Sequence, residues 1–130
     1  MKFAKVVFWC AGIWGVLALT PLYFLYDTMG RQYPPAITHP DFYYGFVGVA
    51  LAWQVAFLVI AYDPARYRSI MIPAILEKVS YSAALFILYL RGRLSAAQLP
   101  FAGVDFLFAI LFVVAFIKTR TPATAGAIGR

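Results

Sequence analysis

Apolar residues run through this chain in four long blocks, about Phe3 to Tyr26, Phe42 to Tyr62, Ile70 to Leu90 and Phe101 to Ile117, with polar residues gathered between them. Each block offers about the 20 residues that an α-helix needs to cross a hydrocarbon core about 30 Å thick. None alternates apolar and polar in the two-residue rhythm of a barrel strand. A backbone facing lipid must satisfy its own hydrogen bonds, so all four blocks are expected to be helices. The punctuation agrees: Pro34, Pro35 and Pro40 break the first connection, Asp63-Pro64 turns the second, and Arg91-Gly92-Arg93 interrupts the third. Pro100 suits the first turn of the last helix, Asp41 is a plausible N-cap of the second, and Pro21 should kink the outer third of the first.

Composition turns this pattern into a class. Of 130 residues, 64% are hydrophobic and 12% charged, whereas a soluble domain has roughly half and about a quarter. The expected fold is an all-α integral membrane bundle of four transmembrane helices within residues 1–120, followed by a short tail, 121–130. That tail is rich in Ala, Gly and Thr, lacks an apolar face, and is expected to stay unpacked. Lys2 and Lys5 before an apolar run resemble a signal peptide, but the run reaches Tyr26 without a convincing small-x-small cleavage site and reads as a retained helix.

Charge then sets an orientation. The formal net charge of +6 does not point to nucleic acid, because the basic residues are dispersed at the ends of apolar runs. With the N-terminus inside, Lys2, Lys5, Arg66, Arg68, Lys118, Arg120 and Arg130 are cytoplasmic, and they outnumber Arg31, Arg91 and Arg93 outside. Both termini are therefore expected on the cytoplasmic side, in a multi-pass protein of a bacterial inner membrane. Tyr23, Tyr26, Tyr33, Tyr43 and Tyr44 would make an outer aromatic belt, and Tyr62 and Tyr67 an inner one.

Polar side chains inside the spans are the candidates for chemistry, because they are expensive in lipid. With each span centred and rising about 1.5 Å per residue, Gln54, Glu77, Lys78 and Asp105 fall within about 5 Å of the midplane. Glu77 and Tyr81, four apart, share a helix face, while Lys78 points about 100° away, towards a possible Asp105 partner on the next helix. Three readings stay open: an architectural cluster that specifies packing, a ligand, ion or proton site, or a third span shifted so that Lys78 snorkels to the cytoplasmic interface.

Other features are of lower weight. Gly48, Ala52 and Ala56 recur at four-residue spacing and form a flat helix-packing strip, with Gln54 on the opposite face beside Tyr43, Val47, Ala50 and Phe57. Gly12 and Gly15 make a weaker small-residue patch on the first helix. Asp27, His39 and Asp41 collect on the outer side near Arg31. One His and one Cys, Cys10, cannot supply a haem with two histidine ligands, an iron–sulfur cluster or a closed zinc site. No metal or other cofactor is expected, although a bound lipid or other lipophilic molecule is compatible with the sequence.

The order of features resembles two groups of small four-helix membrane proteins, the DoxX-like proteins and the EXPERA domain of sterol isomerases and sigma-2-like receptors. The second resemblance rests on Asp27 at the end of the first helix, the proline-containing loop, Trp53-Gln54 and Tyr62 on the second, and Pro73 on the third. The chain departs from that domain at Ala50, where an acid would stand one turn before Gln54, and in having no histidine on the third helix. The resemblance thus implies a bundle with an interior pocket for a greasy molecule and Asp27 as a polar anchor, while these departures count against isomerase chemistry.

Two functions follow as expectations. The first is a non-catalytic accessory or scaffolding subunit in contact with the bilayer and with other membrane protein subunits or further copies of itself. The alternative is a binding protein or isomerase for a sterol-like, isoprenoid or quinone compound, with Gln54, Glu77 and Asp105 as polar contacts and Trp53 and Tyr81 as walls.

Overall fold

Proline placement decides where the helices begin and change. In the computed structural model, which describes residues 2–120, α1 (Lys2–Leu19) gives way to a 3₁₀ turn (Thr20–Phe24) at Pro21. A kink was expected there, but the turn tightens instead, since Pro21 lacks an N–H and its ring collides with the carbonyl four residues back. A short α2 (Tyr26–Gln32), not expected from the sequence, follows. Next come α3 (Pro40–Tyr62), a 3₁₀ turn (Arg68–Ile70), α4 (Met71–Leu90), another 3₁₀ turn (Ala96–Gln98) and α5 (Leu99–Lys118). The expectations for the tail, 121–130, lie outside the described residues.

Three helix ends explain themselves chemically. Pro40 occupies the first turn of α3, where its fixed φ suits the helix, so His39 stands at the N-cap position without a side-chain cap bond. Asp41 is therefore not the cap; it lies in the first turn, where its charge complements the helix dipole. At the end of α4, Gly92 adopts φ 71°, its N–H donates to the Tyr89 carbonyl, and Arg93 donates to Leu88 at 2.9 Å. That is a Schellman cap, and the left-handed residue is the reason for glycine there. At the end of α5, Arg68 donates through Nε and Nη2 to the Phe116 carbonyl at 3.0 and 2.8 Å, its guanidinium 3.7 Å from the Phe116 ring.

Four helices, over Lys2–Phe24, Pro40–Tyr62, Arg68–Leu90 and Ala96–Lys118, are long and apolar enough to cross a membrane. This is a multi-pass membrane protein built as an all-α bundle. Going around it, α3 packs on α1, α1 on α5 and α5 on α4, whereas α3 and α4, although joined by a short loop, scarcely touch. The ring is closed at the end that holds the N-terminus of α1. There Phe8 stacks on Phe112 at 4.2 Å between centroids and Phe57 meets Phe112 edge-on at 5.0 Å, with Ala4, Ala11, Ala61, Met71, Ala74 and Ala115 filling between them. Alanines at these positions let the backbones approach, the usual device where lipid supplies no hydrophobic drive between helices. Towards the other end α3 and α4 separate.

α1 and α3 approach most closely at two glycines. A Cβ on Gly12 would stand 2.5 Å from Leu58 Cδ2 and 3.0 Å from the Gln54 carbonyl, and one on Gly15 would overlap the Gln54 side chain. Beyond Pro21, Tyr43 donates its hydroxyl to the Leu22 carbonyl at 2.6 Å and Tyr26 to the Ile37 carbonyl at 2.8 Å. Two of the belt tyrosines thus satisfy backbone groups at this end of the bundle.

Candidate functional site

The expected polar cluster assembles in the middle of the spans. Lys78 comes from α4 and is 3% exposed; it does not snorkel. Its Nζ donates to Asp105 Oδ1 of α5 at 3.3 Å and lies 3.8 Å from Glu77 Oε2. The same ammonium stands 5.2 Å from the Phe57 ring centroid and 5.8 Å from that of Phe108. A buried ammonium needs such surroundings, because desolvation costs several kcal/mol unless opposite charges and ring faces replace water. Exposure divides the trio: the Lys78 side chain is 4% accessible, against 20% for Glu77 and 15% for Asp105. The carboxyl groups face outward and the ammonium sits behind them.

Gln54, 1% exposed, projects from α3 into the notch left by Gly15. Its Nε2 donates to the Ala50 carbonyl at 2.8 Å. Because only the nitrogen of the amide is a donor, that bond fixes which side-chain atom is Oε1. Gln54 Oε1 and Glu77 Oε2 are buried and have no hydrogen-bond partner among the described residues. In a native structure each such atom calls for an explanation.

Both residues line a cleft of about 90 Å³ whose wall also includes Gly15, Lys78, Tyr81 and Asp105. The cleft adjoins a groove of about 470 Å³ between α3 and α4, lined by Phe46, Val49, Trp53, Glu77 and Tyr81 among others. Phe46 of α3 and Tyr81 of α4 stack across the gap with centroids 6.0 Å apart, and both line cleft and groove alike. Trp14 and Phe101 complete the cleft wall from α1 and α5. The groove faces the flank of the bundle, where exposed Val49 and Leu76 mark a lipid-facing surface.

Of the residues singled out from sequence, Gln54, Glu77, Lys78, Tyr81 and Asp105 come together, and Trp53 lines the adjoining groove. Asp27, His39 and Asp41 are exposed and lie apart from this cluster. Asp27 instead borders a surface hollow with Tyr23, Tyr26, Arg31 and Tyr44. On α3, Ala52 is exposed and Gly48 and Ala56 are half-buried; the close approach within the chain is made by Gly12 and Gly15 instead. Phe46, Trp14 and Gly15 were not singled out as site residues. The one sequence signal for Gly15 was its spacing from Gly12; nothing along the chain marks Phe46 among so many aromatics. No group of three or more His, Cys, Asp or Glu able to hold a metal occurs among the described residues.

Comparison with protein-family models, with curated proteins and with solved structures finds no match.

Proposed function

We propose that this protein is a non-catalytic binder of a lipophilic small molecule, taken from the bilayer into the groove between α3 and α4 with its polar end against Glu77, Asp105 and Gln54. The observation that carries this reading is the coincidence of two features at one depth. The bundle opens between α3 and α4 beside Glu77, with Asp105 in the adjoining cleft, and among the described residues these are the carboxyl groups that lie in the middle of the spans. An apolar groove with a few convergent polar groups at its inner end is the common form of a small-molecule site. Extraction in a mild detergent followed by native mass spectrometry tests it. The expected result is a chain carrying a bound small molecule that is lost in Trp53→Ala. A chain that is always empty, or always part of a stoichiometric assembly with the groove filled by another protein, overturns it.

One observation favours a second reading, an accessory subunit of a larger membrane assembly: Ala52 is exposed on α3 beside exposed Gly45, so this face offers little side chain to lipid and would suit a partner helix. Ala52→Leu should then strip the partner without altering the fold, whereas a binder of small molecules should not respond.

The distribution of Lys and Arg supports a bacterial inner membrane with both ends cytoplasmic. A fluorescent reporter fused to either end should be active and a periplasmic phosphatase reporter inactive; the opposite pattern reverses the orientation.

A further inference from the structure

We infer that the molecule held in this groove has a hydrogen-bond-donating head, an alkylammonium or an alcohol, and not a carbonyl, carboxylate or phosphate. The inference rests on the groove-binding reading above and concerns the direction of the hydrogen bonds made there.

The two buried side-chain atoms without a hydrogen-bond partner among the described residues, Gln54 Oε1 and Glu77 Oε2, are both acceptors, and the second has only the more distant Lys78 ammonium at 3.8 Å. The ammonium and serine hydroxyl donors nearby are already engaged, which leaves the indole N–H groups of Trp14 and Trp53 on the walls. The Lys78 ammonium donates to Asp105 at 3.3 Å, stands 3.8 Å from Glu77, and at 4% side-chain exposure is less accessible than either carboxyl group. Ser80 Oγ donates to the Glu77 carbonyl at 3.1 Å, and Ser82 Oγ to the Lys78 carbonyl at 2.9 Å. Tyr81 is the one hydroxyl on the wall with no bond to a described residue, and it can give or take one.

Charge points the same way. Two carboxyl groups face one ammonium, so the cluster has one acidic group more than it has basic ones. An incoming anion would meet carboxylate oxygen first, and a ketone, ester or quinone oxygen would set acceptor against acceptor. An ammonium or hydroxyl supplies the missing donor, and the ammonium also matches the surplus acidic group.

Size fits this division of labour. The cleft of about 90 Å³ takes a head of several heavy atoms, since one water needs about 10–15 Å³ on such a measure. The groove of about 470 Å³ leaves room for the apolar body. Aromatic walls on both sides, from Phe46, Trp53 and Tyr81, suit an alkyl or ring system, and rings beside an ammonium add attraction of their own.

The test uses the full chain in lipid nanodiscs and four probes that share one brominated hexadecyl chain: a primary amine, an alcohol, a methyl ketone and a carboxylic acid. Bromine quenches tryptophan at contact, and Trp53 and Trp14 line the two compartments. A Trp53→Phe control identifies the groove signal. The amine and the alcohol should bind at least about tenfold more tightly than the ketone and the acid, the advantage of a well-made hydrogen bond to a charged group. Glu77→Gln should shrink that difference while the probes still bind. If all four probes bind alike, or the ketone or acid binds best, the head-group inference is overturned and the groove reading stands. If none quenches Trp53, the groove reading itself fails. The ranking on the unmodified chain decides between these outcomes even if Glu77→Gln does not fold.

Discussion

Replacing Gly15 with alanine adds one methyl group at the tightest point between α1 and α3. The new Cβ would overlap the side chain of Gln54, which is 1% exposed and tied to the Ala50 carbonyl at 2.8 Å. Relief requires either breaking that hydrogen bond, worth about 1 kcal/mol, or separating helices that are also in close approach at Gly12. Overpacking of this kind costs about 1–3 kcal/mol. Alanine is the better helix former by about 1 kcal/mol in water, but a membrane-embedded helix remains helical in the unfolded reference state, so little of that gain is recovered. A net loss of about 1–2 kcal/mol is expected from these terms together. The measurement is reversible unfolding in mixed micelles by titration with sodium dodecyl sulfate, followed by tryptophan fluorescence. It should be repeated in a Gln54→Ala background, where the colliding atoms are gone and Gly15→Ala should be neutral or stabilising. A Gly15→Ala protein as stable as the parent, or an equal loss in both backgrounds, would refute the assignment of Gly15 as the cradle for Gln54.

Two further substitutions probe the charges. Lys78→Met leaves Asp105 and Glu77 without their ammonium and should cost about 3–5 kcal/mol in the same titration; combining it with Asp105→Leu should recover most of the loss, and a double variant no better than the single one would mean that the ion pair is not what Lys78 is for. Arg68→Lys should lower stability by about 1–2 kcal/mol, because lysine cannot give the Phe116 carbonyl two N–H groups from one plane or lie flat on the ring; a melting curve that matches the parent would assign Arg68 to orientation alone.

The four spans were legible because period and composition are strong signals in lipid, and helix ends were found to within a few residues wherever a proline or glycine marked them. That Gln54, Glu77, Lys78 and Asp105 share one level of the bundle was legible for the same reason: position along a helix converts directly to distance along its axis. The partnership of Lys78 with Asp105 could be anticipated from the 100° turn between Glu77 and Lys78. Which helices are neighbours could not. Helices joined by a short loop are expected to pack, yet α3 and α4 part company while α1 reaches across to α5. Nothing in either sequence segment encodes that, since the decision lies in how the rings of Phe8, Phe57 and Phe112 fit together. The Gly48, Ala52 and Ala56 strip does not say by itself which helices of the chain approach closely, because small residues allow contact without requiring it. Gly15 is required only because Gln54 comes to lie opposite it.

The gap between α3 and α4 has different physical meaning along its length. Where the walls are Val49, Phe46 and Trp53, a lipid acyl chain can fill it at little cost, since lipid tails are as apolar as the side chains they meet. At the level of Glu77 the same acyl chain would cover buried acceptors that have no hydrogen-bond partner among the described residues, and an unsatisfied polar group in hydrocarbon costs several kcal/mol. Closing the gap by moving α4 onto α3 would bury Glu77 against Ala50 and Val49, apolar residues with no donor to give. The bundle therefore has two ways to satisfy this site: admit water from one surface, or admit a molecule whose head donates and whose body is as greasy as the groove. Water in the cleft would leave the apolar groove empty of anything but lipid. A donor-headed amphiphile fills both compartments at once, which is why the polar cluster and the open flank are best understood as one feature.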